Sequence, residues 1–146
     1  MLIALGACQT AGGSGQKVAS TSACTTPLPE NVEIAQPTDT VPPQLAKFAG
    51  TWGHGKWDGK LCHTLVVQRV TSAGNVRAIY SWENYSGWNA HEGNSQHVGS
   101  IADGKLTLER FDNGADVTYW FEGDTLMGSY VNASGARSII TLSKLE

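Results

Sequence analysis

Proline is absent after residue 43, and aromatic residues are absent before it: the five prolines lie at positions 27–43 and the twelve aromatics at positions 48–130. A segment without proline can pair nearly all of its amides in β-ladders. A segment without aromatics or a hydrophobic period buries too little apolar surface to offset the entropy of ordering it. The sequence therefore predicts a flexible tether over residues 9–43 and a folded domain over residues 44–146, with the boundary at Pro42-Pro43.

Charge of either sign is scarce as well. Charged residues make up 16% of the chain, and ten Lys and Arg face thirteen Asp and Glu, for a net charge of −3. Surfaces that follow nucleic-acid phosphates carry clustered positive charge, so the composition argues against nucleic acid as a partner. The hydrophobic fraction of 40% excludes a disordered polyelectrolyte.

Cysteine is limited to three positions, and the first follows a short apolar run, Met1–Ala7. Leu5-Gly6-Ala7-Cys8 resembles the lipobox of bacterial lipoproteins, in which the cysteine is acylated and becomes the mature N-terminus. The resemblance implies that residues 1–8 are a signal remnant and lipobox and that Cys8 carries lipid. The protein would then be anchored to a membrane of the bacterial cell envelope, facing the periplasm or the cell surface. The alternative is a hydrophobic end with an unmodified Cys8.

With Cys8 lipidated, Cys24 and Cys62 remain as an even pair in an oxidising compartment. A disulfide between them would close a loop of about 38 residues and stabilise the fold by about 3–4 kcal/mol through chain entropy. The alternative is a buried free Cys62 and an exposed Cys24, because Cys24 lies in a segment with no other reason to be ordered. The sequence leaves both open.

The domain shows period-2 alternation interrupted by turn dipeptides such as Asp58-Gly59 and Asp103-Gly104, which predicts consecutive strands and no helix. Connections this short place each strand beside its predecessor, and eight such strands can close on themselves. The predicted fold is therefore all-β, a single antiparallel up-and-down barrel of about eight strands preceded by a disordered tether. A sandwich of six to eight strands is the alternative. The predicted strands cover residues 50–57, 60–70, 76–83, 95–101, 105–111, 117–121, 125–131 and 136–142.

Gly50-Thr51-Trp52, at the start of the first predicted strand, resembles the Gly-x-Trp motif of calycins, the superfamily of lipocalins, avidins and fatty-acid-binding proteins. In that family the Trp closes one barrel end and a basic residue of the last strand packs across it. The resemblance implies structural roles for Trp52 and for Arg137, which lies on the last predicted strand. A second lipocalin-like motif and a C-terminal helix are not visible, so the resemblance implies a fold and no particular ligand.

The residues that usually carry chemistry show no motif spacing. The sequence holds no Cys-x-x-Cys or His-x-His pair, no nucleophile elbow in the folded part and no dinucleotide fingerprint. His54 and His63 lie on adjacent strands of the first predicted hairpin, and one interpretation is that they meet across it; the favoured interpretation is that each is a polar strand position bonded to a neighbour. We expect no catalytic residue, no metal ligand and no cofactor, and the sequence favours a protein that is not an enzyme.

The longest irregular connection, residues 82–94, combines aromatic rings with amides and carboxylates. Such a combination can hold a sugar ring or a planar ligand by stacking and directed hydrogen bonds. We interpret Trp82 as a barrel cap and Trp57, beside the first turn, as a surface aromatic. The predicted ligand contacts are Tyr85, Trp88, Asn89 and Glu92.

Two functions follow from an eight-stranded barrel, whose interior is either filled or just wide enough for one small ligand. The first is a lipid-anchored binding module that holds a small apolar or saccharide ligand in its mouth. The second is an accessory lipoprotein whose packed barrel docks another envelope protein. An open cavity favours the first and a packed interior the second. The bulky residues predicted to face inward favour a filled interior: Leu65, Val67, Tyr80, Leu106, Leu108, Tyr119, Phe121 and Tyr130.

Overall fold

Residues 24–145, which a computed structural model describes, form eight strands and two short helices. Cys8 and the predicted lipobox lie outside these residues. The helices are α1 (Pro43–Ala46) and a 3₁₀ turn (Ser86–Trp88). The strands are β1 (Gly50–Trp57), β2 (Leu61–Val70), β3 (Asn75–Trp82), β4 (Gly93–Ala102), β5 (Lys105–Leu108), β6 (Asp116–Glu122), β7 (Thr125–Val131) and β8 (Arg137–Leu145).

The strands form one closed antiparallel barrel in sequence order, which confirms the predicted fold class. Each strand pairs with its neighbours along the chain, and β1 closes the ring by pairing with β8, with Trp52 opposite Lys144. The sandwich alternative is excluded because no strand is left at an edge for its full length. Closure leaves no strand with an edge that is open along its whole length and invites pairing with other chains.

One end of the barrel is closed by aromatic side chains, and we call it the plugged end. Phe48 follows α1 and is buried with Trp52, whose indole N–H donates to the Phe48 carbonyl oxygen at 2.9 Å. The Phe121 ring packs against both, with ring centroids 4.7 Å from Phe48 and 5.4 Å from Trp52. Since Trp52 is only 3% exposed, the ring seals the barrel interior at this end.

A basic residue of the last strand does cover the Trp52 ring, but it is Lys144. Its ammonium nitrogen lies 5.0 Å from the ring centroid. The assignment of this role to Arg137 was wrong, because β8 runs antiparallel to β1 and begins at Arg137, at the other end of the barrel. Gly50 adopts φ +124°, and a Cβ there would overlap the Lys144 side chain, so the glycine of the Gly-x-Trp motif makes room for this cation.

Residues 24–41, which we call the strap, run along the outer face of β2 and β3 from the open end of the barrel to the plugged end. Thr26 donates to the Thr64 hydroxyl at 2.8 Å, and the Ala35 amide donates to the Gln68 carbonyl oxygen at 2.8 Å. The sequence predicted a flexible tether over residues 9–43. For residues 24–41 that prediction was wrong, because the structure attaches them to the barrel wall.

The strap covers apolar side chains that point away from the barrel interior. Val66 and Ile79 pair across β2 and β3 and are 0% and 1% exposed, although they do not belong to the interior core. Cys24 and Cys62 form a disulfide, with Cα atoms 5.5 Å apart, that attaches the start of the strap to β2. Burial of Val66 and Ile79 is a physical reason for the strap to be ordered, since such side chains stabilise by about 1.5–3 kcal/mol each when removed from water.

Candidate functional site

The end opposite the plug is open, and the barrel interior there contains a cavity of about 790 Å³. This volume lies within the range of about 300–1,000 Å³ that is typical of small-molecule sites. The two longest connections, residues 83–92 and 109–115, flank its mouth. The cavity is lined by six aromatic side chains, Trp57, Tyr80, Trp82, Trp88, Phe111 and Tyr130, together with polar groups that include Asp58, Lys60, Asn113, Asn132 and Arg137.

The barrel interior is packed with side chains between the plugged end and the cavity, and it is open from the cavity to the mouth. Aliphatic side chains fill the part between the aromatic plug and the cavity, all of them buried: Leu65, Val67, Ala78, Leu106, Leu108, Val117, Leu126, Ile140 and Leu142. Nearer the mouth, the inward positions carry rings instead. The change from branched aliphatic to aromatic residues coincides with the start of the cavity.

His63 and Tyr119 form a polar pair beneath the cavity. His63 is fully buried, and its Nδ1 lies 2.8 Å from the Ser81 carbonyl oxygen, which can only accept. Nδ1 therefore carries the hydrogen, and Nε2 accepts from the Tyr119 hydroxyl at 2.8 Å. Burial lowers the pKa of His63 to about 3, against a smaller upward effect of the Ser81 hydrogen bond. A neutral imidazole with both nitrogens engaged acts as a structural group and not as a general base near neutral pH.

Trp57 and Tyr80 form the floor of the cavity. The Trp57 ring stacks on His63 at 5.4 Å, and the centroids of His63 and Tyr80 are 4.0 Å apart. The interpretation of Trp57 as a surface aromatic was wrong, since it is only 2% exposed. Its indole N–H has no hydrogen-bond partner, although it lies near enough to the Tyr80 hydroxyl to oppose slightly the pKa increase that burial causes there. An unpaired buried donor costs about 1–3 kcal/mol, which an acceptor on a ligand or a water would recover.

Phe111 forms the cavity wall on the side of β4 and β5. The sequence predicted a strand to Phe111, but β5 ends at Leu108, and the Phe111 amide donates to the Ala115 carbonyl oxygen in the turn that follows and not to β4. Phe111 leaves the ladder and stacks on His97, with ring centroids 4.2 Å apart and an interplanar angle of 17°. Partial burial lowers the pKa of His97, against an opposing effect of the Asp112 charge.

The same early end of β5 opens a groove of about 640 Å³ on the outer wall beside the cavity. β4 begins at Gly93, yet only its last four residues pair with β5, so its first half has no neighbour on that side. The groove is lined by Gln96 and Val98 of β4 and by Arg110 and Asp112 of the connection, among others, and it meets the cavity at Phe111.

The predicted ligand contacts are divided by the structure. Trp88 lines the cavity mouth and is 41% exposed, while Tyr85, Asn89 and Glu92 are not among the lining residues. The Tyr85 ring packs on the edge of Trp88 at 5.2 Å, and Asn89 ends the 3₁₀ turn with φ +53°. The Glu92 amide donates to the Asn84 side chain at 2.9 Å. These three residues therefore shape the loop that presents Trp88.

Residues 24–145 hold no group of side chains arranged as a metal site. No three His, Cys, Asp or Glu side chains converge there as a metal site would require. His54 lies exposed on a bulge of β1 while His63 points into the barrel, so the two do not meet. Neither helix of these residues is long and apolar enough to cross a bilayer.

Comparison with protein-family models, with curated proteins and with solved structures gives no significant match.

Proposed function

We propose that this chain is a lipid-anchored binding protein of the bacterial cell envelope that holds a small, mainly apolar ligand in the open end of its barrel. The observation that carries the proposal is the division of the interior, which is filled by buried side chains toward the plugged end and is open and aromatic at the other. A barrel built only as a docking scaffold would gain stability by filling that space, because empty volume forfeits packing contacts.

The chemistry of the cavity supports binding. Its floor consists of neutral aromatic groups, since burial raises the pKa of Tyr80 and lowers that of His63. Rings of this kind supply apolar contact area, and stacking adds about 0.5–1.5 kcal/mol per pair beyond the area buried. The polar groups of the lining lie on connections and strand ends, where they can orient a ligand.

We further propose that the barrel is calycin-like. The support is the closed eight-stranded meander, the Gly50-Thr51-Trp52 motif at the plugged end and the cation of the last strand over the Trp52 ring, a position that Lys144 occupies. Fold alone does not specify a ligand, so the function depends on the cavity and not on this likeness.

The proposal is tested by native mass spectrometry of the full chain purified from a bacterial envelope. We expect a bound species of small-molecule mass that is lost in Ala136→Trp, because Ala136 lines the cavity and an indole there would fill the mouth. Ala102→Trp is the matched control, since Ala102 is exposed at the plugged end. A wild-type spectrum without any adduct, together with no binding of a neutral apolar dye, would contradict the proposal.

The second candidate, docking of another envelope protein, has one observation in its favour. The first half of β4 lacks a neighbour on the side of β5, so the backbone of Asn94 and Gln96 can accept an added strand. In the same experiment this function would appear as a bound species of protein mass that Ala136→Trp leaves in place.

A further inference from the structure

The charged side chains that line the cavity differ in net sign from the chain as a whole. The protein carries a net charge of −3, yet the charged side chains of the lining are Lys60, Arg137 and a single acid, Asp58. All three lie on one side of the mouth, at the turn between β1 and β2 and at the start of β8. The floor and the opposite wall, by contrast, are aromatic.

Neither cation is neutralised within the described residues. The one ion pair there joins Arg110 to Asp116, away from the cavity. The Asp58 carboxylate accepts a hydrogen bond from the Ile139 amide at 2.9 Å, and the Asp58 amide donates to the Ile139 carbonyl oxygen. Asp58 therefore holds β8 to the first hairpin and leaves Lys60 and Arg137 without a carboxylate partner.

A second, independent feature is a buried hydrogen-bond donor at the floor of the cavity. The Trp57 side chain is almost completely buried and lines the cavity, and its N–H donor is unpaired. The Lys60 ammonium nitrogen lies 5.8 Å from the centroid of the exposed Trp88 ring, so a cation and an apolar face occur together at the rim. The mouth thus offers a flat apolar contact beside positive charge.

We propose that the ligand is an amphipathic anion, with a planar or cyclic apolar body in the aromatic cavity and an acidic group between Lys60 and Arg137 at the rim. The inference rests on the proposed binding function and names the ligand class for the same cavity. Opposite charges at such a rim attract the ligand without the cost of full burial of the ion pair. A neutral saccharide would leave both cations without a partner.

The test compares two dyes with one ring system. N-phenyl-1-naphthylamine is neutral, and 1-anilinonaphthalene-8-sulfonate adds a sulfonate to the same rings; each becomes fluorescent in an apolar site. We expect the full chain to bind the sulfonate more tightly, with a preference that shrinks as salt rises, because mobile ions screen exposed charges. Ala136→Trp should displace both dyes, which establishes that they occupy the cavity.

Charge variants then identify the rim groups. Lys60→Gln and Arg137→Gln should each weaken binding of the sulfonate by about 2- to 5-fold, as expected for exposed ion pairs, and leave the neutral dye unchanged. Lys105→Gln is the control, because Lys105 is an exposed cation at the plugged end, and it should change neither affinity. Equal affinity for the two dyes would overturn the anion proposal, and so would an unchanged affinity for the sulfonate in the double variant Lys60→Gln and Arg137→Gln. In either case, binding of the neutral dye would still support the proposed function. Failure of both dyes to bind would overturn the two together.

Discussion

The Lys144 ammonium nitrogen lies 5.0 Å from the centroid of the Trp52 ring, across the seam where β8 meets β1. The pair joins the first and last strands of the barrel at its plugged end. Trp52 also donates to the Phe48 carbonyl oxygen, so the ring connects the residues before β1 with both strands of the seam.

Trp52→Ala should lower the free energy of unfolding by about 3–5 kcal/mol, the usual cost of removing a buried Trp. Lys144→Gln should cost about 0.5–1 kcal/mol, since it removes only an exposed cation–π contact. Arg137→Gln is the control and should leave stability unchanged in urea denaturation. Equal effects of the two cation substitutions would contradict the assignment of Lys144.

Stability should depend on pH through His63. Its pKa is about 3 in the folded state and about 6.5 in the unfolded state, so the unfolded chain binds a proton that the folded chain does not. The stabilisation that a neutral His63 gives is complete above pH 6.5 and is lost as pH falls toward 3, with a slope of about 1.4 kcal/mol per pH unit. Urea denaturation between pH 7 and pH 4 should show a shallower slope in His63→Gln. His54→Asn, a change at the exposed bulge, should keep the wild-type slope; the same slope in both variants would contradict the assignment.

The disulfide between Cys24 and Cys62 should contribute about 3–4 kcal/mol to stability, because it closes a loop of 38 residues in the unfolded chain. The double change Cys24→Ser and Cys62→Ser should lower the urea midpoint accordingly, and dithiothreitol should reproduce the loss in the wild type only. Thr26→Val, which removes the hydrogen bond to Thr64, should cost about 0.5–1.5 kcal/mol. A wild-type midpoint that is indifferent to reductant would refute the bond.

Cys8→Ala should release the protein from the membrane fraction of the native bacterium. The reason is the lipobox-like Leu5-Gly6-Ala7 before it, since acylation of the cysteine is the anchor that such a sequence provides. Fractionation followed by immunoblotting measures the effect. Cys24→Ser should remain in the membrane fraction, and membrane association that is unchanged in Cys8→Ala would contradict the anchor.

The double change Tyr85→Ala and Trp88→Ala should abolish binding of the neutral dye and shift Tm by less than about 3 °C, because Trp88 is exposed at the mouth and neither ring belongs to the core. Tyr85→Ala alone should weaken binding less, since Tyr85 acts by packing on Trp88. Loss of the fold in the double variant would show that these rings support the barrel, and unchanged binding would place the site elsewhere.

The barrel could be predicted from the sequence because its signals are local. The alternation of apolar and polar residues along each strand indicated which side chains face inward, for example Tyr80 on β3 and Tyr119 on β6. The turn dipeptides indicated that each strand lies beside the previous one. The position of a residue along the barrel axis cannot be read from the neighbouring sequence, because it depends on how the strands are staggered relative to one another. The cavity therefore was not visible in the list of bulky inward residues, which mixes the filled and the open halves.

Two features of the structure, the cation over Trp52 and the strap, had signals in the sequence that were missed. Antiparallel pairing of the first and last strands places the end of β8, and not its start, beside Trp52, which favours Lys144 over Arg137. The apolar run Leu65-Val66-Val67 of β2, which places Val66 on the outer face, indicates a strand covered on both sides. That run predicts a covering segment, and the strap supplies it.

The attachment of Cys24 to Cys62 places the start of the strap at the mouth end of the barrel. Cys62 lies at the start of β2, next to the cavity-lining residue Leu61. The chain between Cys8 and Cys24 spans at most about 55 Å when fully extended. With lipid on Cys8, as proposed, the anchoring segment would therefore join the barrel at the mouth and not at the plug, and this distance would set the farthest that the disulfide beside the mouth can lie from the bilayer.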